Sequence, residues 1–243
     1  MAIYPELAGK VAVVSGAGGN LGIAVVRAFH AANIQLAAVD LREDSLRQRL
    51  REANLEPEQM LIGALDLTQR RAAIDEFVNR VVAHYGKVDI LVNVAGGFKA
   101  GGPVHEMDEE IWDFMMNINA KTAFLLSAAV ARNMVARKAG GRIVNIAARA
   151  ALSGVPTIAG YSASKSAVLR LTESMAAELS EYGITVNAIM PSVIDTPQNR
   201  RSDPNADHSR WVTPESLAEV ILFLVSDSAR DISGAAIPVY GRA

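Results

Sequence analysis

Short apolar runs at residues 10–15, 34–40, 60–65, 88–94, 142–147, 185–190 and 235–240 punctuate the chain, separated by longer segments of helical periodicity. Runs such as Ile90-Leu91-Val92-Asn93-Val94 are apolar at successive positions rather than alternate ones. A strand of that kind is buried on both faces, which is the condition of a parallel sheet covered by helices on either side. Strands alternating with helices predict right-handed βαβ units, hence an α/β, doubly wound domain with a seven-stranded, mainly parallel sheet. No repeat, low-complexity tract or linker divides the chain, so a single domain over residues 1–243 is the expectation. The polar stretch 197–210 reads as an insertion near the C-terminus, not as a boundary.

Half of the residues are hydrophobic but only 5% are aromatic, so the core must be built from Val, Ile, Leu and Ala. A net charge of −2 makes no electrostatic case for nucleic acid or an anionic membrane as partner. No uninterrupted apolar run reaches the roughly 18 residues of a membrane helix. Residues 1–10 lack the apolar centre of a signal peptide. The absence of cysteine excludes disulfides, thiolate ligands and thiol nucleophiles, and fits a cytoplasmic address. His30, His84, His105 and His208 are scattered without metal-ligand spacing, so no metal site is expected.

After the first apolar run comes Ser15-Gly16-Ala17-Gly18-Gly19-Asn20-Leu21-Gly22, leading into a helical segment at 23–32. Glycines permit a tight turn and close backbone approach, while a helix N-terminus offers free N–H groups to a pyrophosphate. Asp40 closes the second strand, 18 residues beyond Gly22. An acid there accepts the ribose hydroxyls of an adenosine and repels a 2′-phosphate. Arg42 nearby offsets that repulsion in part, so NAD is expected and NADP is the less favoured cofactor.

Tyr161 and Lys165 stand four residues apart, on one face of a helix. An ammonium beside a phenol favours the phenolate and lowers the Tyr pKa from about 10. Tyr161 is thereby expected to act as an acid or base near neutral pH.

These features together resemble the short-chain dehydrogenase/reductase family over nearly the whole chain, which implies a Rossmann-like fold and a nicotinamide cofactor. The family's turn reads TGxxxGxG; Ser15, Gly16 and Gly22 match it, Asn20 replaces the middle Gly, and Gly19 and Leu21 fall within the stretch. Asp66-Leu67 resembles the adenine-contacting pair, and Asn93-Val94-Ala95-Gly96 resembles NNAG with Val94 for the second Asn. Residues 112–124 resemble the family's long helix, placing Asn119 where an Asn orders a proton-relay water. Pro191 through Ile194 to Thr196 is similar to PGxxxT, which holds the nicotinamide amide. The resemblance implies that Lys165 bonds the nicotinamide ribose. It also implies that helices 109–137 and 161–181 pack between subunits, giving a homotetramer or failing that a dimer.

One position departs. The family closes a strand reading IVNISS with a catalytic Ser thirteen residues before the Tyr; here Ile143-Val144-Asn145-Ile146-Ala147-Ala148 carries no hydroxyl. Losing such a donor costs about 10²–10³ in rate. Ser153 could replace it only by a different loop path. A narrower resemblance, to dihydropteridine reductases, accounts for the change. It rests on Val94-Ala95-Gly96-Gly97, Gly101-Gly102, residues 148–160, and Asp195 through Arg201 to Trp211. Members of that branch keep the Tyr and Lys, lack the Ser, and reduce quinonoid dihydropterins with NADH. A quinonoid ring is already a strong hydride acceptor and needs a fixed oxyanion donor less than an isolated ketone does. On this reading Ala148, Gly97, Asn199 and Trp211 line the substrate pocket, and 197–211 is a substrate loop or lid. Two alternatives stand beside it: a general alcohol dehydrogenase or ketoreductase that tolerates Ala148, and a non-catalytic NAD-binding sensor.

Overall fold

The computed structural model describes residues 4–69 and 71–242. Seven strands form one sheet in the order β3-β2-β1-β4-β5-β6-β7. They are β1 Val11–Ser15, β2 Gln35–Asp40, β3 Leu61–Ala64, β4 Ile90–Asn93, β5 Gly141–Ile146, β6 Ile184–Pro191 and β7 Ala236–Val239. Every pairing is parallel.

Continuous apolarity in the strands is explained by what covers them. On one side lie α1 Asn20–Ala31 and α8 Pro214–Val225; on the other lie α3 Arg71–Tyr85 and α5 Thr122–Arg137. Alternate residues of β1 enter different cores. Ala12 and Val14 join Phe29, Leu217 and Ile221, whereas Val11 and Val13 join Phe77, Val78 and Leu126. A polar residue at any of these positions would be buried without a partner, which is why none occurs. Strand order reverses between β1 and β4, and in an open α/β sheet the crevice for a ligand forms there, at the C-terminal strand ends.

Two expectations change in detail. The helix anticipated over 109–137 is not uniform: α4 Glu109–Met115 runs into a π-helical turn at Met116–Lys121 before α5 begins. Its wider turn is stitched by Thr122 Oγ1, which donates to the Ile118 carbonyl at 2.7 Å. By length and composition this continuous helix could cross a membrane, but more than half of its apolar window is buried inside the molecule.

The polar stretch at 197–210 is also more ordered than an insertion. Thr196 caps the short helix α7 Pro197–Ser202, its hydroxyl accepting from the Asn199 N–H at 3.2 Å. Further on, Arg210 donates through Nε and Nη2 to the Arg242 carbonyl at 2.9 and 2.7 Å, tying the segment to the end of the described chain.

Candidate active site

The crevice begins where β1 ends. Ser15 Oγ accepts from the Ala95 N–H at 3.1 Å, joining the glycine turn to the segment that leaves β4. Sterics explain two of the glycines. A Cβ at Gly16 would lie 2.8 Å from Ala95 Cα and N, and one at Gly22 would lie 2.1 Å from the Gly16 carbonyl oxygen. Gly19 caps α1 without a side-chain bond, and the first turn carries no acid. The N–H groups and the positive end of the helix dipole are thus left for an outside anion.

Asp40 is turned onto this same loop, Oδ2 accepting from the Gly18 N–H at 2.9 Å and Oδ1 from the Leu41 N–H at 2.7 Å. Arg49, which sequence reasoning passed over, reaches in from helix α2 Glu43–Glu52. It donates to the Gly18 carbonyl at 3.3 Å and to Asn20 Oδ1 at 3.1 Å. Nothing in the spacing of Arg49 signals that contact.

Several expected cofactor residues have side chains engaged elsewhere. Leu21 and Leu67 lie in the two cores, so only their backbones can face a ligand. Asp66 Oδ1 accepts from Thr68 Oγ1 at 2.6 Å and from the Thr68 N–H at 2.9 Å. The Thr68 hydroxyl holds the Asp66 carboxyl below the usual carboxylate range. Asn93 is a correction: its amide donates inside the core, to Ser127 Oγ and to Asn145 Oδ1, both at 2.8 Å. Asn145 continues the chain to Thr172 Oγ1 at 2.9 Å. This buried ladder ties β4 to β5 directly beneath the crevice, and it is the polar cost of placing Asn93 last in β4 and Asn145 next to last in β5.

Tyr161 and Lys165 project from helix α6 Ala159–Leu179. Lys165 is buried, and its Nζ donates to the Ile146 carbonyl at 2.8 Å. A Cβ at Gly96 would come within 3.3 Å of that Nζ and 2.8 Å of Asn119 Oδ1, so a larger residue there would displace the Asn119 side chain. Asn119 sits in the π turn, almost fully buried. Its Oδ1 accepts from the Gly97 N–H and its Nδ2 donates to the Gly97 carbonyl, both at 3.0 Å. Nδ2 also donates to Ser164 Oγ at 3.1 Å, and Ser164 donates to the Tyr161 carbonyl at 2.8 Å. A continuous chain of bonds therefore fixes Gly97, Asn119 and the turn of α6 that carries Tyr161 relative to one another.

The expected electrostatics of the pair are overturned. Burial pushes the Tyr161 phenol up, to about 12, and brings the Lys165 ammonium down, to about 8. The lysine spends its bond on Ile146, and desolvation outweighs the attraction that spacing alone suggested. Phe98 adds to that desolvation by standing edge-on to the Tyr161 ring, centroids 5.0 Å apart at 84°.

Ala148 follows β5 in extended conformation and is buried, so a methyl group stands where a hydroxyl was missed. Ser153 does not replace it. That residue lines a surface hollow with Ser162, Ala163 and Ser166, whose register differs by one or two residues from that of Tyr161 and Lys165 and so belongs to a different face of the helix. Across the mouth, the Gly101 N–H donates to the Thr157 carbonyl at 2.9 Å. Thr157 holds φ +67°, a strained value for a β-branched residue.

On the remaining side, Pro191 ends β6 and Ile194 bridges Val212. Asn199 Nδ2 donates to the Ile194 carbonyl at 2.8 Å, so this expected substrate contact instead braces its own loop. Trp211 packs on His208, ring centroids 4.4 Å apart. Arg200 forks onto both oxygens of Asp195, at 2.5 and 2.7 Å, and holds that carboxyl below its usual range.

This arrangement has recognisable relatives. The family model described as short chain dehydrogenase matches residues 10–207. The chain belongs to the short-chain dehydrogenase family. It is 33% identical to a 3-oxoacyl-acyl-carrier-protein reductase of Thermotoga maritima, over 97% of this chain and 98% of that one. An NAD-dependent glycerol dehydrogenase of Listeria innocua is also 33% identical, over 93% of this chain and 90% of the other. Among solved structures, NAD+-bound xylitol dehydrogenase superposes with a TM-score of 0.87 at 29% identity, covering 97% and 99% of the two chains. Like these family members, the chain is an oxidoreductase.

Proposed function

We propose that the chain moves a hydride between NAD(H) and a carbonyl or secondary-alcohol carbon, with Tyr161 donating the proton in reduction. The buried face of α6 carries the reading. There the Tyr161 carbonyl is linked through Ser164 and Asn119 to Gly97, beyond the end of β4, while Lys165 Nζ donates to the Ile146 carbonyl at the end of β5. NADH supplies the hydride when bound. The turn Gly16–Gly22 and the first turn of α1 receive the pyrophosphate, and Asp40 receives the adenosine ribose. A carboxylate on that turn disfavours a 2′-phosphate by several kcal/mol, which supports NAD over NADP. Asp66, Ala95, Gly96 and the backbones of Leu67 and Asn93 line the adenosine and central parts of the crevice, and Pro191, Ile194 and Thr196 its nicotinamide end.

Tyr161, with its phenol raised to about 12, is protonated at neutral pH and fits the role of acid. Lys165, brought down to about 8 by burial, stands one helical turn away on α6. The named relatives are dehydrogenases and reductases of alcohols and ketones, which favours the ketoreductase reading over the pteridine one. A quinonoid dihydropteridine is the second reading, favoured by the absence of a hydroxyl at Ala148. Self-association, as a tetramer before a dimer, is supported by Trp112, Phe114 and Phe124, which are 42%, 48% and 46% exposed along one helix. The cysteine-free composition supports a cytoplasmic setting.

The test is NADH oxidation with a ketone panel and with quinonoid dihydropterin, for the wild type and Ala148→Ser. Turnover of ketones that rises in Ala148→Ser supports the ketoreductase. Turnover of the quinonoid substrate alone, unimproved by the serine, transfers the assignment to the second reading.

A further inference from the structure

Position 20 breaks the glycine pattern, and a compensating contact accompanies the break. Asn20 is the first residue of α1. A helical Cα–Cβ bond tilts toward the helix N-terminus, so a side chain here leans toward the place where a helix end receives an anion. The glycine that usually stands at this point lets the backbone approach a pyrophosphate. In this chain Asn20 Oδ1 accepts from Arg49 Nη2 at 3.1 Å, while Arg49 Nε donates to the Gly18 carbonyl at 3.3 Å. The Gly18 N–H is meanwhile held by Asp40 at 2.9 Å. Residue 18 is thus gripped at both its amide hydrogen and its carbonyl, and the side chain of residue 20 is drawn sideways onto α2.

We propose that Arg49 is a positioning residue for the cofactor, drawing the Asn20 side chain out of the pyrophosphate approach and so standing in for the missing glycine. This rests on the NAD(H) reading above. Arg49 acts through Asn20, not as a ligand in its own right. Its effect must therefore shrink, to no more than the Gly18 bond carries, when there is no side chain at position 20 to divert.

The experiment is a double-mutant cycle on the NADH dissociation constant, read by nicotinamide fluorescence, with far-ultraviolet circular dichroism to confirm folding. Arg49→Ala in the wild-type background is expected to weaken NADH binding about tenfold, or about 1.4 kcal/mol. The same substitution in an Asn20→Gly background is expected to change it by no more than about twofold. Arg49→Lys keeps the charge but loses the fork, and serves in the same cycle if the alanine variant does not fold. Equal losses in both backgrounds overturn the proposal and make Arg49 a direct charge contact or a packing residue. No loss in the wild-type background also overturns it. Failure of the wild type to bind NADH removes the cofactor reading itself, a result distinct from both.

Discussion

The two ends of the crevice are held by different kinds of force. At the cofactor end the limits are steric and lie in the backbone: Gly16 and Gly22 leave no room for a Cβ, and Ser15 locks the turn to Ala95. At the substrate end the frame is made of side-chain bonds and loops, with Asn199 bracing Ile194 and the Thr157 carbonyl meeting Gly101 across the mouth. Backbone constraints tolerate almost no substitution. Side-chain frames tolerate many.

The comparison can be broken most sharply at Tyr161, between the ends. Tyr161→Phe removes the proposed proton donor and is expected to lower kcat by about 10²–10⁴ in steady-state NADH oxidation. Survival of the rate would mean that the acceptor needs only hydride. Next in size is Gly22→Ala, whose Cβ would meet the Gly16 carbonyl at 2.1 Å. Fluorescence titration is expected to show NADH affinity falling by more than about 100-fold, with a lower Tm from overpacking. If that variant binds NADH normally, the steric account of the cofactor end is wrong.

At the other end, Ala148→Ser is expected to fold without loss and to raise kcat/KM for simple ketones by about 10- to 100-fold. A drop in Tm comparable to that of Gly22→Ala would erase the distinction between the two ends.

The smallest effect concerns stability and its pH dependence. Burial lowers Lys165 from 10.5 to about 8 in the folded protein, so the folded state holds its proton less tightly than the unfolded chain does. The ammonium therefore opposes folding fully below pH about 8, and the penalty fades as pH rises from there toward 10.5. Lys165→Met should stabilise the protein at pH 7 by about 2 kcal/mol, the gain from removing the charge being offset by an orphaned Ile146 carbonyl. Thermal melts should show the variant ahead at pH 7 and the gap closing above pH about 8. Equal gaps at pH 7 and pH 10 would mean that the lysine is not desolvated.

Much of this was readable in advance because it follows from local rules. The seven apolar runs fall within two residues of the observed strands, since burial on both faces leaves no freedom in residue type. The glycine turn, Asp40, Tyr161 and Lys165 were legible because helix periodicity and backbone sterics act over a few residues. The π turn around Asn119 was not legible, as an amphipathic pattern does not distinguish a wide turn from an ordinary one. Nor was the direction of the Tyr161 pKa, which depends on how much water Phe98 and the surrounding fold exclude.

Sequence alone thus determined the α/β class and the place of the glycine turn after β1. Each rests on hydrophobic periodicity or on a glycine's lack of a Cβ. Tertiary structure alone decided what those groups bond to. Arg49 meets Asn20 across 29 residues, Asn119 closes on Gly97 across 22, and Asn93 turns to Asn145 across 52. Such contacts are set by how helices pack on the sheet, and that packing is a property of the whole core and not of any segment within it.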